Sequence, residues 1–217
     1  MLSKLLKKEW SLCLHPAALV MLALSALVLV PNYPYGVVFF YSTLGLFFIC
    51  LGGRENQDVV YTMTLPVARK DLVAGRILLA VVLELIQLLL TFGFILLRTR
   101  LQPQANAAGL DANLALLGEG FLFFGLYHLV FFPAYYRDVT KVGLSFVKGC
   151  VFALLFVAAE IVLCYTAPFV RDRLDTPDPA HLGAKLAFTA VCALVYVLCT
   201  VLALRLSRRK FEQLDIR

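Results

Sequence analysis

Long apolar segments dominate this sequence and restrict what the chain can fold into. A helix needs about 20 apolar residues to cross roughly 30 Å of hydrocarbon, and six segments meet or approach that length. They lie at about 16–31, 36–53, 72–97, 114–136, 144–168 and 185–206. Charged residues make up 16% of the chain, whereas soluble domains have about 25%. The sequence therefore predicts an all-α integral membrane protein with six transmembrane helices within residues 15–206.

Residues 1–14 show the pattern of an amphipathic helix that lies in the membrane interface. The Leu, Trp and Cys side chains fall on one face of a helical wheel, and Lys and Ser fall on the other. We therefore expect an elbow helix that stays attached to the membrane surface. A cleaved signal peptide is the alternative, because a basic start precedes an apolar run. The amphipathic part is too long for the basic region of a signal peptide, and no small-x-small cleavage site follows it.

The distribution of Lys and Arg predicts that both termini are cytoplasmic. With the N-terminus inside, 15 of these cations lie in the inner segments and 5 in the outer ones, as the positive-inside rule requires. Residues 207–217 then form a basic cytoplasmic tail, and Arg76 and Lys148 are expected to snorkel to the inner headgroups. Because the cations flank apolar runs, the net charge of +6 does not indicate nucleic-acid binding.

No signature of catalysis or metal binding accompanies the predicted spans. The sequence contains no GxxxxGK[ST], HExxH or GxSxG pattern. The spans contain no Asp, and the six Cys include no CxxC pair and no His at ligand spacing. We therefore expect no catalytic residue, no metal and no cofactor bound by this chain. An intramembrane enzyme is disfavoured because a nucleophile and base at suitable spacing are missing.

Polar side chains inside the spans are the candidates for a transport pathway, since an ionisable residue costs about 2.5–3.5 kcal/mol at a helix centre. These candidates are Glu84, Gln87, Glu119, His128 and Glu160. They could line a weakly anionic cavity that suits a cationic, amphipathic cargo. The alternative is that they pair with one another or with the backbone and fix helix packing or a subunit interface.

The polar interval at 54–71, between the second and third spans, is the most informative loop. Residues at about 55–65 can form a short helix, which Leu65 and Pro66 would end. A helix of mixed apolar and charged surface at the inner mouth is a suitable docking element for a soluble partner. A solvated loop whose charges only set the topology is the alternative.

The same loop resembles the signature region of ABC-2 type transporter permeases. The run Glu55-Asn56-x-Asp58 is followed at 65–73 by LPVARKDLV. This is similar to the pattern L-P-[VI]-S-R-K-[DE]-I-V of a small six-span branch that includes bacterial exporters of phenol-soluble modulins and similar peptides. Ala68 stands where that branch usually has Ser, which would form a capping box. The departure leaves the start of the following helix open by a few residues.

The resemblance implies a type V (ABC-2) exporter-like fold and a non-catalytic permease subunit of the bacterial plasma membrane. In that family the loop holds a coupling helix that fits a groove on a separate ATP-binding subunit, which binds ATP and Mg²⁺. Two such subunits and a second copy or paralogue of the permease would form an exporter of amphipathic peptides. The implied partner contacts are Glu55, Asn56, Asp58, Tyr61 and Thr62, and the residues setting the start of the third span are Arg69, Lys70 and Asp71.

A non-transport membrane protein is the alternative function, such as a peptide-immunity factor or a membrane anchor for a signalling partner. The two classes differ in their partner. A transporter requires an ATP-binding subunit that co-purifies with the chain and whose ATPase activity depends on it.

Overall fold

The computed structural model of the chain describes residues 2–101 and 106–214. These residues form eight α-helices, and none of them lies in a β-strand. The helices are α1 (Leu2–Lys8), α2 (Pro16–Ala23), α3 (Val37–Glu55), α4 (Asp58–Thr64), α5 (Arg69–Leu101), α6 (Leu114–Tyr135), α7 (Val142–Thr166) and α8 (Leu182–Glu212). The predicted all-α class is confirmed.

Five of the helices, α3, α5, α6, α7 and α8, are long and apolar enough to cross a membrane. The segment predicted as the first span is shorter and mixed, because α2 continues as a 3₁₀ helix over Leu24–Leu29. Eight α-helical and six 3₁₀ residues give a length of about 24 Å, since the 3₁₀ rise per residue is larger. This segment is bent by 89° from the elbow helix that precedes it.

The bundle has two ends. The coupling end carries α1, α4 and the last turns of α8, and the far end carries the connections at 30–36, 106–113 and 167–181. At the coupling end a guanidinium nitrogen of Arg69 donates to the carbonyl of Leu214 at 3.1 Å, and Arg208 Nε donates to the carbonyl of Lys70 at 3.0 Å. The segment predicted as a basic tail therefore continues α8 as a helix through Glu212 and packs against the start of α5.

Hydrogen bonds between connections close the far end. The Asn113 side chain accepts from two backbone N–H groups at the start of α6 and donates to the carbonyls of Leu174 and Thr176. Lys185 Nζ lies 2.8 Å from Asp178 Oδ1. The bonds of Asn113 satisfy backbone groups at the start of α6 and in the connection at 167–181, so the connection before α6 is fixed to the connection before α8.

Helices α6 and α8 pack backbone against backbone. A Cβ added to Gly118 would lie 2.9 Å from the Cα of Thr189, and one added to Gly125 would lie 2.8 Å from the Cα of Tyr196. Small residues permit such an approach between membrane helices. Because both contacts follow the same order along the two helices, α6 and α8 run parallel.

A ladder of buried aromatic rings runs along α6 through the centre of the bundle. Phe123, Tyr127, Phe131 and Tyr135 recur every fourth residue, and each is at most 1% exposed. Consecutive ring centroids are 6.1, 5.5 and 6.0 Å apart. Aromatic contacts of this kind stabilise a core beyond the area that they bury, so α6 is the central helix around which the others pack.

Candidate functional site

Four charged side chains meet at the coupling end. Arg76 of α5 has Nε 2.5 Å from Glu9 Oε2 and a terminal nitrogen 2.6 Å from Asp58 Oδ2. Lys8 Nζ lies 2.5 Å from Asp58 Oδ1 and 3.2 Å from Glu9 Oε1. Two cations and two anions thus form a neutral group, which we call the coupling cluster. It joins the elbow helix, α4 and α5 at a single point.

The elbow helix contributes Lys8 and Glu9 to the cluster at the point where its α-helical part passes into a π-helix over Glu9–Cys13. The elbow helix packs on α5 at Gly75, where a Cβ would make ordinary van der Waals contacts of 3.4 Å with Leu5 Cβ and 3.7 Å with Glu9 Cγ. Glu9 and Arg76 are each 2% exposed. The expectation that Arg76 snorkels to headgroups is therefore wrong, because two carboxylates of the chain itself neutralise the guanidinium inside the protein.

Two of the cluster residues, Lys8 and Asp58, are held in their charged forms by their neighbours. Burial alone would lower the pKa of Lys8, but the carboxylates of Glu9 and Asp58 outweigh it and raise that pKa above 10.5. Burial alone would raise the pKa of Asp58, but Arg76 and Lys8 outweigh it and lower that pKa below 3.8. The ion pairs are therefore intact at neutral pH.

Three possible metal ligands lie within this region, but their chemistry favours ion pairs. Atoms of Glu9, Cys13 and Asp58 lie within 4.8 Å of one another. The two carboxylates are already neutralised by Lys8 and Arg76. Burial raises the pKa of the Cys13 thiol to about 12, so a metal would have to displace a proton from this thiol in order to bind.

The helix predicted at about 55–65 is shorter in the structure, where it is α4 (Asp58–Thr64), because Glu55 belongs to the end of α3. The two faces of α4 have different environments. Val59 and Thr62 are buried, whereas Val60 and Tyr61 are exposed. Lys8 Nζ donates to Thr62 Oγ1 at 2.7 Å, and Asp58 belongs to the coupling cluster. Thr62 is buried, whereas Asp58 is half-buried and also lines a groove beside α4. Both side chains are paired within the chain, and their contact with a partner stays a prediction.

The remaining predicted contacts lie on the surface. Glu55, Asn56 and Tyr61 are exposed, and with Val60 they form what we call the docking surface. Next to it is a groove of about 360 Å³ between α4 and the elbow helix, which Asn56, Tyr61 and residues 12–16 line. The docking surface is thus backed directly by the coupling cluster.

The three residues predicted to set the start of the third span lie at the first turn of α5. The helix begins at Arg69, and the carbonyl of Ala68 accepts from the N–H groups of Asp71 and Leu72 at 2.9 and 3.3 Å. Asp71 is thus in the first turn, where its negative charge interacts favourably with the helix dipole and stabilises the helix. The Arg69 guanidinium bonds to the carbonyl of Leu214, just after α8, and the Lys70 carbonyl accepts from Arg208 of α8.

Three of the five membrane-embedded candidates are engaged in helix packing. His128 Nε2 lies 2.7 Å from Glu84 Oε1, and the Tyr196 hydroxyl donates to Glu84 Oε2 at 2.7 Å. His128 Nδ1 is 2.9 Å from Thr200 Oγ1. Gln87 donates to a backbone carbonyl of α3 at 3.3 Å. These contacts join α5 to α6, α8 and α3, which is the packing role given as the alternative.

The other two candidates, Glu119 and Glu160, face each other near the far end. Both line a cavity of about 180 Å³ whose remaining walls are apolar. For this pair the structure supports the cavity-lining role, in contrast to Glu84 and His128.

The sequence-based prediction missed Glu9, although the sequence carries a signal for it. Glu9 follows Leu5 by four residues and precedes Cys13 by four, so it lies on the apolar face of an amphipathic helix. An acid buried at such a position has to be paired with a cation or become neutral. Arg76, at the start of the third span, supplies that cation.

One comparison with known proteins is informative. A family model described as ABC-2 family transporter protein matches residues 4–212, nearly the whole chain. No curated protein and no solved structure gives a significant match.

Proposed function

This chain is a member of the ABC-2 transporter family, and from that premise we propose that it is the permease subunit of an ATP-driven exporter. Two copies, or this chain and a paralogue, enclose the pathway in a bacterial plasma membrane. Each copy docks on a separate ATP-binding subunit, which holds ATP and Mg²⁺. The coupling end and both termini face the cytoplasm, in keeping with the excess of Lys and Arg on that side.

The observation that carries this proposal is the coupling cluster directly behind the docking surface. A partner that displaces α4 acts through Asp58 on Arg76, and so on α5. Helix α5 also carries Glu84, which is bonded to α6 and α8. A displacement at α4 is thereby passed to the centre of the bundle by ion pairs and one rigid helix. Transmission of this kind needs contiguous packed elements, and α5 provides them.

In the proposed cycle, closure of the two ATP-binding subunits moves both copies of α4 and shifts the pathway from inward-open to outward-open. This is a population shift, driven by the different affinities of the ATP-bound partner for the two states. An amphipathic peptide is the cargo that the resemblance favours. The chain itself contributes no catalytic group to ATP hydrolysis.

The test is co-purification of the tagged chain with candidate ATP-binding subunits encoded by neighbouring genes. We compare wild type with Glu55→Ala/Tyr61→Ala, which truncates the docking surface, and with Asp172→Ala, an exposed acid at the far end. We expect wild type and Asp172→Ala to capture an ATPase and to change its activity. The docking variant should lose the capture or the change in activity.

If the docking variant captures the ATPase and changes its activity as the wild type does, then the ATP-binding subunit does not dock on this surface. Failure of the wild type to capture any ATPase would overturn the exporter proposal itself and favour the anchor or immunity function.

A further inference from the structure

Two acidic side chains meet beneath the connection that precedes α3. A Cβ added to Gly36 would lie no more than 2.6 Å from one carboxyl oxygen of Glu119 and one of Glu160. A side chain at this position would displace one or both carboxyl groups. Glu119 is 5% exposed and Glu160 is 8% exposed, so both carboxyl groups lie inside the bundle.

Most of the hydrogen-bonding capacity of this pair is unused. The Leu110 N–H donates to Glu160 Oε1 at 3.0 Å. Within residues 2–101 and 106–214, no other residue donates to the second Glu160 oxygen or to either oxygen of Glu119, and the two carboxyl groups lie within hydrogen-bonding reach of each other. None of the ion pairs among those residues includes Glu119 or Glu160. A proton shared between the two carboxyl groups would satisfy one oxygen of each and would leave the second Glu119 oxygen without a donor.

Buried polar atoms without partners are rare in folded proteins, and each requires an explanation. Here the unpartnered oxygens lie at the wall of a cavity of about 180 Å³ that is otherwise lined by apolar side chains, among them Leu122, Phe156 and Phe188. Leu163 at its rim is 49% exposed, so the cavity is open to the surface of the chain. We call it the acidic cavity.

We propose that the acidic cavity binds a primary ammonium group carried on an apolar chain. An ammonium group has three N–H donors. By displacing the proton that the two carboxyl groups would otherwise share, it could bond to the three carboxyl oxygens that no donor of another described residue reaches. The apolar walls would cover the attached hydrocarbon. The positive charge would offset the repulsion that two adjacent carboxylates otherwise impose.

Other cations fit this cavity less well. Calcium takes six to eight oxygen ligands and magnesium about six, which is more than the three free oxygens present. A guanidinium group has five donors in a rigid plane, so part of it would remain unpaired against apolar walls. A phospholipid headgroup whose ammonium entered the cavity would also bring its phosphate towards the two carboxylates, and these like charges would repel each other.

This inference deepens the proposed function, on which it rests, because it assigns the class of cargo: an amphiphile bearing a primary amine. The amine could be the lysine side chain of a peptide or the head of a free alkylamine. Both present the same group to Glu119 and Glu160, so the experiment has to distinguish them.

The test measures binding of radiolabelled hexylammonium to the full chain in phosphatidylcholine nanodiscs, after subtraction of binding to empty nanodiscs. Hexanol, with the same tail and no charge, is the matched probe. We expect saturable hexylammonium binding to wild type and none of hexanol. Affinity should fall about tenfold or more in E119Q/E160Q, because hydrogen bonds between charged groups are lost.

Two further variants keep the test sound if the double variant folds poorly. Leu163→Trp fills the rim of the cavity and leaves both carboxyl groups in place, so it should also weaken binding. Asp172→Asn removes an exposed acid at the same end and should bind like wild type. Equal binding of hexanol, or unchanged hexylammonium binding in both E119Q/E160Q and Leu163→Trp, would overturn the inference.

Competition distinguishes the two sources of the amine. An amphipathic peptide with one lysine displaces hexylammonium if a lysine side chain is the ligand, and the same peptide acetylated at that lysine does not. Binding of hexylammonium that neither peptide displaces supports a free alkylamine. If hexylammonium does not bind but the chain still captures an ATPase, this inference alone is overturned. If hexylammonium binds but the chain captures no ATPase, the proposed function is overturned.

Discussion

Arg76 Nε lies 2.5 Å from Glu9 Oε2, and this ion pair fixes the elbow helix to α5 at the point where α4 also attaches. The same guanidinium reaches Asp58. A single buried cation thus connects an interfacial helix, a short surface helix and a long membrane helix. Buried charges of this kind add little net stability but are costly to break. Their removal should therefore be easy to detect.

Substitution of Arg76 by Leu should destabilise the chain strongly. Glu9 and Asp58 would keep only Lys8 as a counter-charge, and breaking a buried ion pair costs about 3–5 kcal/mol. Thermal unfolding in nanodiscs measures the loss. Arg100→Leu is the matched control, because Arg100 lies on the same helix and is exposed. Equal unfolding temperatures for the two variants would show that the coupling cluster does not hold these helices.

The attachment of the elbow helix should weaken at acidic pH. Because the pKa of folded Asp58 is lowered, its contribution is complete above the ordinary value of 3.8 and is lost as the pH falls below it. Trp10 is the sole tryptophan of the sequence and lies next to Glu9. Its emission should stay constant from about pH 5 to 8 and should shift at lower pH.

Asp58→Asn should produce that shift in Trp10 emission already at neutral pH, since the carboxylate that pairs with Lys8 and Arg76 is gone. Asp71→Asn, in the first turn of α5, serves as the control acid. An Asp58→Asn spectrum identical to that of wild type at every pH would contradict the attachment.

The membrane helices could be predicted from the sequence more fully than the partners of individual buried side chains. Apolar length places the membrane helices, because a hydrocarbon slab imposes a minimum length that any sequence must display. Helical periodicity also identified the elbow helix, but it could not show that the acid on its apolar face meets Arg76. That contact joins residues far apart in sequence, and only the packing of α1 on α5 determines it.

The same limit applies to the membrane-embedded glutamates. Glu84 and Glu119 look alike in sequence, since each lies in a predicted span with small or polar neighbours. In the structure Glu84 accepts from Tyr196, whereas no donor of a described residue other than Glu160 reaches Glu119. The difference depends on which face of each helix meets which neighbour, and periodicity within one helix does not determine that.

Tyr196→Phe should destabilise the bundle by leaving one Glu84 oxygen buried without a donor. The cost of an unsatisfied buried acceptor is about 1–3 kcal/mol, and it is larger for a charged group. Tyr61→Phe is the matched control, because the Tyr61 side chain is exposed and its change should be nearly neutral. Equal unfolding temperatures would show that the Tyr196 hydroxyl is not an essential donor to Glu84.

Gly125→Ala should force α6 and α8 apart. The added methyl would lie 2.8 Å from the Cα of Tyr196, and backbone cannot rotate away as a flexible side chain can. Overpacking typically costs about 1–3 kcal/mol. The cost should be at the upper end, because a shift of Tyr196 also weakens its hydrogen bond to Glu84.

Gly93→Ala is the matched control for this substitution. Gly93 also lies inside a long membrane helix, but no heavy atom lies within 4 Å of a Cβ built there. Alanine should therefore stabilise α5 by up to about 1 kcal/mol through its higher helix propensity. The two variants should thus move the unfolding temperature in opposite directions from wild type. If Gly125→Ala is as stable as Gly93→Ala, then α6 and α8 do not pack backbone against backbone. The parallel arrangement of these two helices, which positions the hydrogen bonds of Glu84, would then be incorrect.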